Sequence, residues 1–235
     1  MKRSSWIVAA VALVSLGAAA WFLFVPRETL PEDLMQGVPA DAYGAVRIRM
    51  DRVLASEAWK RLVVERGEAK GMERVTKTCG FNPLERVKEV VVFARPAPSN
   101  AERPHLAFIA RGDLPHKELL RCVEKVTGAD RSKLRTEEIE GITTVASSKG
   151  SSRAAFVGRD GVIGGDAESV RSVIKALHKS APSLLSDPLL NQLFQGVQGG
   201  QDVAGVARIP DELRPQLRSL SGRLMGGLLQ PLAEV

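Results

Sequence analysis

Residues Trp6 to Val25 read WIVAAVALVSLGAAAWFLFV, a run of 20 residues without a charge. As a helix, a run of this length spans the hydrocarbon core of a bilayer, about 30 Å. Lys2 and Arg3 precede it. Arg27 follows, but Glu28, Glu32 and Asp33 come soon after. Basic residues flanking the N-terminal side keep that side in the cytoplasm. The expected topology is therefore a cytoplasmic tail at 1–5, a signal anchor at 6–25 with the lipid bilayer as its partner, and a domain on the periplasmic side of a bacterial inner membrane. A cleaved signal peptide is the competing reading, with Ile7 to Leu16 as its apolar region and Ala18-Ala19-Ala20 as its small-residue site. The apolar run continues through Trp21–Val25, which favours retention, since cleavage after Ala20 would leave a greasy, unsupported N-terminus. No cysteine lies near the segment, so lipid attachment there is not expected.

Pro26 to Pro39 is rich in proline and acid, and residues 26–37 read as a short stiff linker. Residues 38–235 read as one α+β domain. Ala42–Met50 is an expected strand, followed by a helix from Arg52 to about Arg66, with further helical turns ending at Cys79-Gly80. Glu89–Arg95 and His105–Arg111 pair as a hairpin across a Pro/Ser/Asn loop. A helix from Leu114-Pro115 to Thr127 carries Leu119, Leu120, Cys122, Val123 and Val126 on its apolar side. Strands at Ile142–Ser147, Arg153–Gly158 and Val162–Gly164 follow, with Asp160-Gly161 as a hairpin signal. Asp166 then caps a helix whose Val170, Val173, Ile174 and Leu177 stand at i, i+3, i+4 and i+7, an inward-facing stripe. Leu189–Phe194 is a short helix and Val203–Ile209 a strand. Asp211 caps a last helix with Leu213, Leu217, Leu220, Leu224 and Leu228 on one side and Arg214, Arg218 and Arg223 opposite. This pattern predicts antiparallel meanders with helices packed on one face. Leu34–Leu54 also echoes Leu193–Leu213, so a duplicated unit is one reading and chance alignment of short apolar patterns the other.

The stretches VPADAYGAVRIRMDRVLAS (Val38–Ser56), CGFNPLERVKEVVV (Cys79–Val92) and AAFVGRDGVIGGDAESVRSVI (Ala154–Ile174) resemble an uncharacterised family of anchored or secreted bacterial envelope proteins of myxobacterial type. The resemblance implies export and an α+β domain. It brings no assigned activity and no catalytic residues.

Cys79 and Cys122 are the only cysteines, and an even count in an exported domain predicts a disulfide. Two buried thiols are the alternative. The net charge of +6 falls to +4 once Lys2 and Arg3 are assigned to the topology signal, and no Lys/Arg run carries interleaved aromatics. Nucleic acid is therefore not an expected partner. His105, His116 and His178 are scattered rather than paired at metal-ligand spacing, and no metal or cofactor site is read. Ser172-Val-Ile-Lys175 matches an SxxK nucleophile motif in letters, but its SDN and KTG companions are missing and both residues fall on the polar side of their helix. Gly158, Gly161, Gly164 and Gly165 read as turns and a helix entry, because Asp166 would repel a phosphate there. Arg214, Arg218 and Arg223 read as the solvated side of a packed helix, with a membrane-surface face as the other option. These features point to a non-enzymatic binding or scaffolding module with a protein partner in the envelope. The alternative is an exported hydrolase or substrate-binding enzyme whose site is assembled from residues distant in sequence. A deep pocket with converging polar groups would favour the enzyme. A continuous exposed apolar patch would favour the module.

Overall fold

The strands are Gly44–Arg49 (β1), Val87–Arg95 (β2), His105–Gly112 (β3) and Leu134–Ile139 (β4), then Ile142–Ser147 (β5), Ser152–Val157 (β6), Gly161–Asp166 (β7) and Val203–Ala207 (β8), and the densest apolar runs are those of β2 and β3. The structure, a computed structural model, describes residues 29–65, 70–96, 104–127, 134–147, 152–197 and 199–208. The strands form one sheet in the order β4-β5-β6-β7-β3-β2-β1-β8, with every neighbouring pair antiparallel. The register carries one row across the whole sheet: Glu137, Thr144, Ala155, Ile163, Ile109, Val91, Arg47 and Ala204. Side chains in one row share a face. This row lies on the inner face, where Ala155, Ile163, Ile109 and Val91 are fully buried.

Two helices supply the other half of the core. The helix Ala167–Leu177 buries Val170, Val173 and Ile174, and Pro188–Val197 buries Leu190 and Phe194. Asp166 caps the first of these, accepting hydrogen bonds from the backbone N–H of Glu168 and of Ser169 at 3.0 Å each. The mixed α+β fold and the Asp166 cap are as the sequence predicts.

The linker expectation needs correcting. Leu30, Leu34, Met35 and Val38 all belong to the core, and Leu34 and Met35 are fully buried in a 3-10 turn, Leu34–Gly37. The apolar residues scattered among the prolines and acids of 26–37 fill the space between the sheet and the helix Ala167–Leu177. Gly37 permits the approach: a Cβ there would stand 2.8 Å from Ile109 Cδ1. The domain therefore begins by Leu30 and not at Val38. The 6–25 anchor and the Asp211–Leu228 helix lie outside the described residues. Among those described, no helix is long and apolar enough to cross a membrane.

Two local expectations also change. The helix expected from Arg52 to Arg66 breaks at Ser56, whose extended backbone ends Met50–Ala55. The Ser56 hydroxyl then caps the next stretch, Glu57–Trp59, which continues as a π turn, Lys60–Val64. At the β6–β7 hairpin the left-handed residue is Gly158 (φ 61°), and Gly161 is already in the strand, paired with Val157. Gly161 is small for packing: a Cβ there would stand 2.7 Å from both Leu30 Cδ1 and the Val157 carbonyl.

The internal echo does not extend to matching environments. Leu34–Gly37 is a 3-10 turn, whereas Leu193–Gly196 lies within the α-helix Pro188–Val197. Val38 is fully buried, and its counterpart Val197 is exposed. The two echoing strands, β1 and β8, are antiparallel neighbours.

Candidate functional surface

The disulfide joins Cys79 to Cys122, as predicted, and ties the helix Lys70–Cys79 to the helix His116–Thr127. His116, at the start of the second helix, connects this pair to the sheet. Its ring stacks on Phe156 with centroids 4.4 Å apart, and it is hydrogen-bonded to the Gly161 backbone. Its buried Nε2 has no hydrogen-bond partner. His116 is thus a contact between the helix His116–Thr127 and the sheet. Burial holds its pKa below the usual 6.5, outweighing the opposite pulls of Gly161 and Asp160. The unfolded chain therefore takes up this proton first, and stability falls as the pH drops below about 6.5. The His116→Phe variant keeps a ring over Phe156 and removes the titration. Melting temperatures across pH 5 to 8 should show a shallower acid-side decline for the variant than for the parent.

Of the other histidines, His105 meets Asp166 at 2.8 Å through Nδ1, on the carboxylate oxygen that also accepts the Ser169 hydroxyl at 2.7 Å. Ser, Asp and His are present together, but the carboxylate stands in the middle. Nucleophilic activation needs the imidazole between hydroxyl and acid. This arrangement instead locks a helix cap to β3. Hydrogen bonds from Ser169 and His105 outweigh burial and hold Asp166 at a pKa of about 2. Lys175 Nζ lies 3.8 Å from Glu140. Among the described residues no cluster of three His, Cys, Asp or Glu is placed to hold a metal ion.

Buried charge is a feature that sequence reasoning missed. Arg47 and Arg95 are each only 7% exposed. Arg47 lies over the Phe194 ring at 5.2 Å and 3.8 Å from Glu89. Arg111 stands 3.9 Å from the same carboxylate and donates to the carbonyls of Glu32 (3.0 Å) and Pro31. Burial pushes the Glu89 carboxyl up, against the pull of Arg111 and Arg47. Arg95 clamps Asp41 through two nitrogens and reaches Glu168 at 3.8 Å. These groups pin the incoming chain and the capped helix to the sheet. A cleft of about 630 Å³ opens beside Arg47 and Glu89 and is lined also by Glu32, Asp33, Arg49 and Lys88. A second, of about 640 Å³, lies between Pro31–Gln36 and the loop Lys179–Ser186.

The outer face of the sheet has the opposite character. Its middle row runs Val145, Ala154, Gly164, Phe108, Val92, Val46 and Gly205. The row to one side is Phe156, Val162, Ala110, Val90, Ile48 and Val203, and the row to the other is Leu106, Ala94, Gly44 and Ala207. No side chain in these three rows is polar. Several large ones are exposed: Leu106 (67%), Val203 (53%), Val46 (40%), Phe108 (38%) and Val92 (36%). The Phe108 ring lies over Gly164, where any Cβ would collide with it. A soluble monomer rarely leaves so continuous an apolar surface uncovered. The sequence held a signal for it. VVVF in β2 and LAFI in β3 are apolar at successive positions, so both faces of those strands are apolar.

No family model matches the chain, and no curated protein matches it. Among solved structures, crystal form III of TP0453 is similar at 12% identity with a TM-score of 0.46, covering 81% of this chain and 69% of that one. Crystal form I of the same protein gives 11% and 0.45, covering 80% and 68%.

Proposed function

We propose that the chain is a membrane-anchored, non-enzymatic binding module of the bacterial envelope, which receives an apolar protein segment on the outer face of its sheet. The observation that carries this reading is the set of three uncharged rows, one running from β8 to β5, one from β8 to β6 and one from β8 to β3, with Val46, Val92, Phe108, Leu106 and Val203 open to solvent. The face is a broad sheet surface, whereas small apolar ligands are held in concave sites. Of the two clefts described above, the one beside Arg47 and Glu89 has a charged lining, and the other mixes polar groups with Pro31, Leu177, Pro182 and Leu185. A protein helix or strand with an apolar side is therefore the occupant this surface suits. The tether supports the setting. Leu30 is buried in the core, only five residues beyond the end of the apolar run at Val25. Five extended residues reach at most about 18 Å, so a retained anchor holds the domain against the bilayer surface.

The test is photocross-linking in cells, with a benzophenone side chain at Val92 or, as a control on an exposed loop, at Lys179. The reading predicts discrete intermolecular adducts from position 92 and none from 179. Equal labelling from both positions, or no adduct from 92, would overturn it.

A further inference from the structure

We propose that two copies of the chain pair edge to edge through β8, antiparallel about a two-fold axis at Gly205, so that their sheets join into one. β8 is one end of the sheet. The Arg49 N–H donates to the Asp202 carbonyl at 2.8 Å, and the Arg208 N–H donates to the Tyr43 carbonyl at 2.6 Å. Successive residues of an antiparallel strand turn their backbone groups to opposite sides. Asp202, Ala204, Val206 and Arg208 therefore face β1, and Val203, Gly205 and Ala207 point their N–H and C=O groups away from it. All three of these are exposed.

An open edge is a template for another strand, and sheets guard such edges with charge, proline or bulges. The other end of this sheet is guarded. β4 carries Arg135, Glu137 and Glu138, all exposed. β8 reads VAGVA, with no charge and no proline, and it pairs with β1 without a bulge.

The residues that flank β8 fix the register. With Gly205 opposite Gly205 of the second copy, Val203 meets Ala207, and every outward residue is matched by an outward residue. Any other in-phase shift leaves an outward residue of β8 without a match in the second β8. The same register sets Asp202 opposite Arg208 of the second copy, at both ends of the pairing. Opposite charges directly across two strands are favourable. Within one copy Asp202 lies 3.5 Å from Arg52, and Arg208 donates to Asp187 at 2.8 Å. Across the two-fold these pairs join into a run of alternating sign, Arg52, Asp202, Arg208 and Asp187.

The helix Pro188–Val197 supplies an independent observation. It packs on β8, buries Leu190 and Phe194, and sets the Phe194 ring 5.2 Å from the Arg47 guanidinium of β1. Asn191 and Gln195 leave it toward the cleft shared with Leu177 and the loop Lys179–Ser186. At about 100° per residue, Leu189, Leu193 and Val197 leave it on the opposite side, away from the helix Ala167–Leu177. They are 49%, 44% and 45% exposed. Because this helix covers the end strand, that side overhangs the open edge. Paired β8 strands stand about 4.8 Å apart, so a helix axis over the gap between β8 and β1 stands about 10 Å from its two-fold mate. Packed helices are separated by about 8–10 Å. The apolar stripe that one copy leaves in solvent is thus covered by the same stripe of the second copy. Val92, Phe108 and Leu106 stay open, and the two apolar faces come to lie side by side. A benzophenone at Val203 therefore gives a dimer of this chain as well as adducts to the envelope partner, and the two differ in mass.

The experiment uses the full chain purified in detergent. Native mass spectrometry should show a dimer whose share rises with protein concentration. Val203→Cys copies mixed with Ala207→Cys copies and oxidised should give a 203–207 linked dimer, roughly tenfold more than either variant alone, since like positions are offset by about 13 Å in this register. Leu193→Glu/Val197→Glu should keep near-parental melting and raise the dimer dissociation constant by roughly tenfold or more, because four acids then meet at the two-fold. A monomer at every concentration overturns the proposal. A 203–203 or 207–207 disulfide formed as readily as the mixed one also overturns it, because the copies are then held together by some other contact. A dimer undiminished by the two glutamates overturns it as well, since those side chains would then lie outside the interface.

Discussion

Val173→Asp should abolish the cooperative unfolding transition. Val173 is fully buried between Val170 and Ile174 on the helix that closes the inner face, within the core cluster that includes Ile109, Ile163 and Leu34. A carboxylate there has no partner, and an isolated buried charge costs more than a typical domain's whole net stability of about 5–15 kcal/mol. Protonating the aspartate softens the penalty but still leaves a polar group in an apolar site. The measurement is thermal or urea unfolding of residues 29–235, followed by far-ultraviolet circular dichroism. A sigmoidal transition in the parent and a flat trace in the variant are the expected pair. A variant that unfolds cooperatively with a midpoint near the parent's would mean that the helix Ala167–Leu177 does not close the core.

Loss of the disulfide is the second large effect. Cys79 and Cys122 are 43 residues apart in sequence, and constraining a loop of that length lowers unfolded-state entropy by an amount worth about 4 kcal/mol. Cys79→Ser/Cys122→Ser should therefore lower the unfolding free energy by about 2–4 kcal/mol. The linked helices Lys70–Cys79 and His116–Thr127 should be affected first. Hydrogen exchange checks the location: amides of these two helices should lose protection ahead of β2 and β3. Uniform loss across the sheet would contradict the picture of the disulfide as a clasp between two peripheral helices.

The elements legible in the sequence are those in which one local pattern decides the outcome. The helix after Asp166 combines an N-cap with a complete i, i+3, i+4, i+7 stripe, and it forms as predicted. β2 and β3 are dense apolar runs bounded by loop residues, and they pair in register from Arg95↔His105 to Val90↔Ala110. What was not legible depends on distant partners. Leu30, Leu34 and Met35 look like stray apolar residues in a polar linker, and only the gap between sheet and helix makes them core. Arg47 and Arg95 look like the outward positions of ordinary strands. Their burial follows from Glu89, Phe194 and Asp41, contributed by other elements. The exposed face was half legible: the apolar runs told that both sides of β2 and β3 are greasy, but not that Val92, Leu106 and Phe108 stay open to solvent on one of them.

The central claim is that the outer face is a binding surface whose side chains are available because they are not spent on the core. Val46 and Val92 are cross-strand neighbours on that face, exposed at 40% and 36%. Surface substitutions usually change stability by about 0.5 kcal/mol or less, and strand propensity spans about 1 kcal/mol. The most direct test is Val46→Lys/Val92→Asp, an opposite-charge cross-strand pair, read by melting temperature and by partner cross-linking from a benzophenone at Val203, which sits at the margin of the same face. The account predicts near-parental melting with the partner adducts gone. Parental melting with the adducts retained would contradict it, because two new charges in the middle of the face would then be invisible to the partner said to lie on it.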